Sequence, residues 1–221
     1  MRPLIATKGP SDWRALLGDP DKHWRAGYSA MAAAQCWEVG FPPEVAALLG
    51  TDAVLQLAIA EHKVPIPGGG SPSQCDVFAL VHAEGRDMAV AVEAKVNEPF
   101  GETLGDWLRK GGQNRRDRLT GLCELLGLDH QVDPGLHYQL FHRTAAAVLE
   151  ARRFRRAVAA MIVQSFSPED KWNDAFQLFC AQFGLAVGVN ESCETTLPDG
   201  MALRLGWARG DIRYLEDLGD T

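Results

Sequence analysis

The chain lacks any apolar run long enough to cross a bilayer, and we expect no export signal at its start. The longest apolar stretches, residues 53–60 and 158–163, fall far short of the ~20 residues that a transmembrane helix needs. Near the N-terminus the apolar run breaks within three residues, whereas a secretory signal needs a longer apolar core. We therefore expect a cytoplasmic protein with no membrane partner.

Cysteine is too sparse and too scattered for a disulfide framework or a zinc ribbon. The cysteines are odd in number, and no two of them form a Cys-x-x-Cys pair. They are Cys36, Cys75, Cys123, Cys180 and Cys193. This pattern is typical of buried free thiols in a reducing compartment.

The signature motifs of several enzyme classes are also missing. The six histidines show neither His-x-x-x-His nor His-Glu-x-x-His spacing, which excludes a zinc protease of that type. The chain has no Gly-x-Gly-x-x-Gly loop and no Gly-x-Ser-x-Gly elbow. Gly68-Gly69-Gly70 lacks the Lys-Ser/Thr pair that a phosphate-binding loop requires.

Positive charge is in deficit. The 22 Lys and Arg residues face 29 Asp and Glu residues, so the net charge is -7. Such a chain does not attract polyanions through its overall field, and any nucleic-acid site must be a local basic patch. The 221 residues, 46% hydrophobic and 23% charged, are otherwise typical of a globular domain with a substantial core.

Hydrophobic periodicity and turn residues predict a mixed α/β domain with one sheet flanked by helices. Helices are expected at residues 13–17, 21–37, 43–49 with a continuation to about 60, 103–110, 114–126, 136–152 and 168–183. Strands are expected at residues 75–82, 88–96, 157–165, 186–189 and 202–207, with an extended piece at 62–67 and a loop at 68–73. The domain begins with a helical extension, residues 1–41, and ends with a helix and strands, 166–208, and a loose acidic tail, 209–221.

Three charges lie on the hairpin of residues 75–96, where buried strands are expected. Residues two apart in a strand share a face, so Glu93 and Lys95 point the same way. If Glu84-Gly85 is a two-residue turn, Asp76 lies directly opposite Glu93, because the register then pairs Ala83 with Arg86. Two adjacent carboxylates repel unless a cation lies between them, and oxygen ligands of this kind suit Mg²⁺ or Mn²⁺.

The segments Ser-Gln-Cys-Asp76 and Val-Glu93-Ala-Lys95 resemble the Asp…(Glu/Asp)-x-Lys signature of the PD-(D/E)XK nuclease superfamily. The resemblance implies a restriction-endonuclease-like core of helix, three-stranded meander, helix and strand, which the order of elements in residues 44–165 matches. It also implies that Asp76 and Glu93 bind Mg²⁺ or Mn²⁺ and that Lys95 positions or activates the attacking water. The sequence departs from the family pattern at Cys75, where many members have proline.

The same resemblance suggests further site residues. Glu61, which is expected at the end of an apolar helix, would be a metal ligand, since the first core helix of many members supplies a glutamate. Gln139 would be a catalytic polar residue from the helix after the metal-binding strand, where His142 and Arg143 lie near the same face. Two alternatives stay open. Glu61 could be a solvated glutamate at a helix end, and the polar residues around Gln139 could form a surface stripe of their helix.

Two basic clusters could meet phosphates, although a solvated face is an equal alternative for both. One surrounds residues 109–118 and the other residues 152–156. The residues predicted to contact nucleic acid are Arg115, Arg116, Arg118 and Arg143.

The function expected from these features is metal-dependent phosphodiester hydrolysis in nucleic acid, DNA before RNA, with a homodimer as one option for assembly. A non-catalytic nucleic-acid- or protein-binding module on the same fold is the main alternative, and the acidic net charge supports it. A third alternative is an unrelated α/β protein whose charged hairpin faces solvent. Burial of Asp76, Glu93 and Lys95 around a cavity would separate the third alternative from the other two.

Overall fold

A computed structural model describes residues 6–219 of the chain. The first five residues of the predicted extension 1–41 and the last two of the tail 209–221 lie outside the described part. The helices are α1 Ser11–Arg14, α2 Pro20–His23, α3 Ser29–Val39, α4 Pro43–Leu49, α5 Leu104–Arg109, α6 Gln113–Leu126, α7 Tyr138–Arg153 and α8 Asn173–Ala181. The strands are β1 Val54–Val64, β2 Ser73–Ala83, β3 Arg86–Lys95, β4 Val158–Ser165, β5 Glu191–Thr196 and β6 Ala202–Arg209.

The six strands form one open mixed sheet in the order β1-β2-β3-β4-β6-β5. Strands β1, β2 and β3 form an antiparallel meander, and β3 and β4, like β4 and β6, pair in parallel. Helices cover both faces, which keeps the central strands buried on both sides. The α/β architecture with a mixed sheet flanked by helices therefore agrees with the sequence prediction.

The hairpin of β2 and β3 has the predicted register. Ala83 pairs with Arg86, and the ladder continues to the pair Val77 and Val92. The turn residues Glu84 and Gly85 both have positive φ, 53° and 68°, as the tight turn that matches strand twist requires. Asp76 and Glu93 are therefore the next facing positions beyond the ladder.

Each face of the sheet has its own apolar core. On one face Phe78 and Met161 pack with residues of α7 such as Phe141, and α8 extends this layer. On the other face Val90 and Ile162 pack with α3 and α4. Alternation along the strands places Glu93 and Lys95 on the α7 face, next to Ala89 and Ala91. Within the described part of the chain, helices are too short or too polar to span a bilayer.

The predicted helical continuation through residues 51–60 is wrong. These residues enter β1, Val54–Val64, which pairs antiparallel with β2 along its length. A short apolar run cannot be assigned to helix or strand by periodicity alone, and here pairing with the neighbouring strand decides. Consequently Glu61 lies on a strand and does not end a helix.

Four other boundaries differ from the prediction. Residues 186–189 form no strand, and the strand of this region is the polar edge strand β5, Glu191–Thr196. The expected helix 21–37 is divided into α2 and α3. Helix α8 begins only at Asn173, because Asp170 and Trp172 have positive φ. The expected loose tail contains a short 3₁₀ helix, Ile212–Leu215, whose Tyr214 is buried.

Candidate active site

Three carboxylates lie in a row across the meander. Glu61 of β1 lies between Ala60 and His62, which pair with Val77 and Cys75, so it faces Asp76 of β2. Asp76 in turn faces Glu93 of β3 beyond the last ladder pair. Regular alternation ends at this point, because Glu61 has a left-handed backbone and Cys75 packs in the same core as Phe78, three residues away. All three line one cavity of about 650 Å³, together with Lys95.

Glu93 is the most enclosed member of the row, with only 2% of its surface exposed. Its Oε1 accepts hydrogen bonds from Lys95 Nζ at 2.7 Å and from Gln139 Nε2 at 2.7 Å. Its Oε2 accepts a close hydrogen bond from Arg143 Nε, so that the two side chains form a buried ion pair. Burial raises the pKa of Glu93, but the charges of Arg143 and Lys95 outweigh burial and hold this pKa below its usual value.

Asp76 is held at the end of the hairpin ladder by the backbone. Its Oδ2 accepts a hydrogen bond from the N–H of Ala94 at 2.7 Å. Desolvation, followed by repulsion from Glu93 and Glu61, raises the pKa of Asp76 well above its usual value. The positive charges of Arg143 and Lys95 therefore stabilise the ionised form of Glu93 but do not offset the desolvation of Asp76.

Glu61 is in a similar electrostatic position. Desolvation raises its pKa to about 7, and repulsion from Glu93 adds to the shift. Its Oε2 accepts a hydrogen bond from Gln74 Nε2 at 2.6 Å, which opposes the shift only in part. The backbone at Glu61 has φ 51°, a left-handed conformation that is uncommon for a residue other than glycine.

The cavity also contains acceptors that no donor of residues 6–219 reaches. Glu98 Oε1 and Gln139 Oε1 are buried and have no hydrogen-bond partner among these residues. The other oxygen of Glu98 accepts from the backbone N–H groups of Val96 and Asn97. Buried acceptors without donors are costly, and a bound cation or a substrate hydroxyl would relieve that cost.

The outer wall of the cavity comes from the N-terminal part of the chain. Residues of segment 17–30, among them Lys22, His23 and Tyr28, line it opposite the strands. The residue just before this segment is joined to β2, because Gln74 Nε2 donates to the carbonyl of Leu16 at 3.4 Å. The predicted extension 1–41 therefore contributes directly to this cavity.

The geometry brings together most of the residues singled out by sequence. Asp76, Glu93, Lys95, Glu61 and Gln139 all line the cavity. Because Glu93 and Lys95 are nearly inaccessible on a central strand, the alternative of a solvent-facing hairpin is excluded.

The arginines predicted to contact nucleic acid lie in three different environments. Arg143 also lines the cavity, but it is buried against Glu93. Arg115 and Arg118 line a neighbouring pocket. Arg116 is exposed on α6, near Gln113.

Sequence reasoning did not single out Gln74 and Glu98. Gln74 could have been found by strand alternation, because it lies two residues before Asp76 and shares its face. No periodic signal points to Glu98, since it lies beyond the end of β3 and its carboxylate is positioned by the turn it caps.

Within residues 6–219, no three His, Cys, Asp or Glu side chains are grouped so that they would hold a metal ion directly. One carboxylate of the row, Glu93, is instead paired with the protein cations Arg143 and Lys95. The chemistry of the remaining donors nevertheless suits a hard cation. Carboxylate and amide oxygens of Glu61, Asp76, Glu98 and Gln139 remain available or unpaired around one cavity.

Comparison with known proteins gives a family but no function. The family model described as a domain of unknown function, DUF6946, matches residues 6–212. Searches of curated proteins and of solved structures found no significant match. The chemistry of the cavity is therefore the main guide to what the protein does.

Proposed function

Because the chain belongs to the DUF6946 family, a domain family of unknown function, we propose its function from the site itself: metal-dependent hydrolysis of phosphodiester bonds in nucleic acid, DNA before RNA. The observation that carries the proposal is the row of Glu61, Asp76 and Glu93 beside Lys95. Desolvation, together with repulsion between the carboxylates, raises the pKa values of Glu61 and Asp76, although Lys95 and Arg143 line the same cavity.

The topology supports a restriction-endonuclease-like identity for the fold. Helices α3 and α4 precede an antiparallel meander, which is followed by helices and a strand parallel to β3. This order resembles the core of the PD-(D/E)XK superfamily, and Asp76, Glu93 and Lys95 resemble its signature. The departure remains that Asp76 follows a cysteine.

Mg²⁺ or Mn²⁺ is the cofactor that the oxygen donors of this cavity suit, and Asp76, Glu93 and Glu61 would hold it. A bound cation of this kind polarises a phosphoryl oxygen and lowers the pKa of a bound water. Two features of the cavity favour a bound cation. The carboxylates of Glu61 and Asp76 have raised pKa values, and buried acceptor oxygens of Glu98 and Gln139 have no donor among residues 6–219. Magnesium usually relies on substrate phosphates for further ligands, so weak binding in the absence of substrate is expected.

The chain's own side chains have distinct roles in this proposal. Lys95 donates to the attacking water and offsets the negative charge that develops on the phosphoryl group. Gln139 acts on the reaction through Glu93, whose Oε1 it holds in place at 2.7 Å. Arg143 keeps Glu93 ionised, because its guanidinium lies against Oε2 in a buried environment.

A non-catalytic nucleic-acid-binding module is the second candidate, and one observation favours it. Both oxygens of Glu93 already accept hydrogen bonds from protein donors, which is a stable arrangement without any metal. A cation would have to compete with Arg143 for this carboxylate. The two candidates differ in one measurable respect, which is turnover.

Turnover that depends on Lys95 is the experiment that separates them. With Mn²⁺ or Mg²⁺ at low salt, the wild-type protein should nick or degrade supercoiled plasmid, single-stranded DNA or a branched junction, and EDTA should abolish the activity. Lys95→Ala should lower the rate by about 10²-fold or more, because it removes a charge that acts on the transition state. Folding should survive, as judged by circular dichroism and thermal denaturation.

The matched control is Lys171→Ala, which removes a lysine that is exposed outside the cavity. It should cleave at the wild-type rate. Equal trace activity in wild type and Lys95→Ala would identify contamination and remove the support for a nuclease. Wild-type protein that binds DNA yet cleaves none of the substrates would establish the binding module instead.

A further inference from the structure

We call the cavity lined by Glu61, Asp76, Glu93 and Lys95 the reaction cavity. A second pocket, of about 410 Å³, adjoins it. It lies between the glycine loop Gly68–Gly70, the region of α5 and α6, and the first turn of α7. We call it the Arg118 pocket, after the side chain that closes it against the glycine loop. None of the roles described above uses this pocket.

The Arg118 pocket is positively charged on an otherwise acidic protein. Arg115 and Arg118 line it, whereas no Asp or Glu is among its lining residues in the described part of the chain. Arg118 donates to the carbonyls of Gly69 and Ser71, and Arg115 donates to the carbonyl of Trp107. Because these partners are neutral, they orient the two guanidinium groups without neutralising them. The pocket therefore provides the local basic patch that an acidic chain needs to bind a polyanion.

Aromatic rings form another wall of the same pocket. Trp107 and Tyr138 are stacked, with ring centroids 4.0 Å apart and planes 10° apart. The guanidinium of Arg115 lies over the ring of Trp107, 5.7 Å from its centroid. A cationic surface combined with aromatic side chains is how proteins bind single-stranded nucleic acid without a base-pairing partner.

The glycine loop is built closely onto Arg118. A Cβ at Gly68 would lie 2.4 Å from the Cα of Arg118, and Gly68 has φ 82°. Only glycine combines this backbone conformation with this close approach. The loop is therefore a shaped wall that holds the guanidinium in a defined position.

The two cavities divide the same structural elements between them. At the start of β2, Ser73 faces the Arg118 pocket and Gln74 the reaction cavity. On α7, Tyr138 and His142 line the Arg118 pocket, whereas Gln139 and Arg143, each the next residue, line the reaction cavity. A chain with one phosphodiester at Lys95 would therefore reach the Arg118 pocket by crossing the first turn of α7.

We propose that the Arg118 pocket binds the nucleotide next to the cleaved phosphodiester and that the substrate is single-stranded DNA. This inference rests on the proposed function and names its substrate class. The sizes of the two cavities, about 650 and 410 Å³, are those of pockets that enclose small ligands. Segment 17–30 lines one side of the reaction cavity, and Glu93 in its lining is 2% exposed, so an unpaired nucleotide reaches it more readily than a duplex does.

A matched pair of substitutions at Ser71 tests the proposal. Ser71 is exposed in the lining of the pocket, and only its backbone carbonyl bonds to Arg118. Ser71→Glu places a carboxylate beside the two arginines, and Ser71→Gln adds a side chain of nearly equal size without charge. Fluorescence anisotropy with a labelled oligothymidine, in EDTA so that the strand stays intact, measures binding. The same-sequence RNA and a duplex DNA are the other arms.

For wild type we expect the single-stranded DNA to bind about tenfold more tightly than the duplex, because a duplex cannot place an unpaired nucleotide in the Arg118 pocket. Ser71→Glu should weaken single-strand binding about tenfold, and Ser71→Gln by less than about threefold, with unchanged melting temperatures. The salt dependence should also become shallower in Ser71→Glu, since a phosphate contact is lost.

Equal affinities of Ser71→Glu and Ser71→Gln, or a duplex that binds as tightly as the single strand, would overturn the proposal. RNA that binds more tightly than DNA would overturn the DNA assignment. These binding results are independent of cleavage. Failure of the proposed function would instead appear as the absence of Lys95-dependent cleavage, even if the Ser71 variants bind as expected.

Discussion

At the scale of single residues, Glu93 is the carboxylate on which the charged cluster depends. It accepts hydrogen bonds from Lys95, Gln139 and Arg143 in an environment that is almost closed to water. A buried charge is tolerated only when it is paired and hydrogen-bonded. Glu93 and Arg143 should therefore be coupled in stability as well as in the chemistry proposed for the site.

Arg143→Met should destabilise the protein by about 3–5 kcal/mol, because it leaves Glu93 buried with one oxygen uncompensated. Urea denaturation at neutral pH measures the change in the free energy of unfolding. The control is Arg116→Met, which removes an exposed arginine of α6 and should cost less than about 0.5 kcal/mol.

The double variant Arg143→Met with Glu93→Gln should recover part of that loss, because the unpaired charge is then absent. Equal destabilisation by Arg143→Met and by Arg116→Met would show that the buried pair contributes nothing to folding.

At the scale of elements, the site is formed by strand β3 and helix α7, which have different kinds of contact with the rest of the molecule. Strand β3 lies inside the sheet, hydrogen-bonded to β2 on one side and β4 on the other, and this position fixes Glu93 and Lys95. Helix α7 packs across the same strands and brings Gln139 and Arg143 to them from above. Neighbouring α6 packs on α7 and closes the glycine-loop side of the molecule.

Gly121→Ala tests how closely α6 packs onto the segment that leads to the glycine loop. Helix propensity alone predicts a gain of about 1 kcal/mol for alanine at this interior position. However, a Cβ there would lie 2.7 Å from the ring carbon Cβ of Pro67, which cannot rotate away. We expect the steric term to prevail and the variant to lose about 1–3 kcal/mol in thermal denaturation.

Glu124→Ala on the same helix is exposed and should change stability by less than about 0.5 kcal/mol. A stabilised Gly121→Ala would mean that α6 does not approach Pro67 this closely.

At the scale of the whole molecule, Arg204 of β6 joins parts of the chain that are far apart in sequence. It is 8% exposed and donates to the carbonyl of Leu49 at 2.7 Å, which caps the end of α4. The same guanidinium pairs with Glu84 in the hairpin turn at 2.8 Å and with Glu194 of β5 at 3.1 Å. The edge of the sheet, the hairpin turn and one helical layer therefore share this single cation.

The stability contributed by Arg204 should depend on pH in a defined direction. Its hydrogen bond lowers the pKa of Glu84, and Arg86 together with Arg204 lowers the pKa of Glu194, from the usual 4.5. The ion-pair contribution is therefore fully present above pH 4.5 and is lost as the pH falls through the lowered values. The hydrogen bonds to backbone carbonyls do not titrate.

Arg204→Met should accordingly be less stable than wild type at pH 7 by about 1–3 kcal/mol, since the α4 carbonyls lose a buried donor. The difference should narrow, without vanishing, between pH 4.5 and pH 3. Thermal denaturation of both proteins across this range measures it, with Arg116→Met as the control, since Arg116 is exposed and bonds to the uncharged Gln113. A difference that is constant with pH would show that the two glutamates contribute nothing.

Local pattern was enough to predict much of this protein. Turn chemistry at Glu84-Gly85 predicted the register of the hairpin, which the ladder from Ala83 to Val77 confirms. The predicted cluster of Asp76, Glu93 and Lys95 lines one cavity. These relations depend only on neighbours along one hairpin, so the sequence contains them in full. The same holds for the strong helical period of residues 136–152, which become most of α7.

Tertiary structure alone decided the rest. Residues 54–64 are a strand because β2 offers them a partner, and only that pairing brings Glu61 beside Asp76. Arg143 is buried because α7 crosses the sheet at Glu93, a contact between positions 50 residues apart in the chain. Polar β5 is a strand because β6 lies beside it. In each case the deciding free energy comes from long-range contacts, which no local periodicity records.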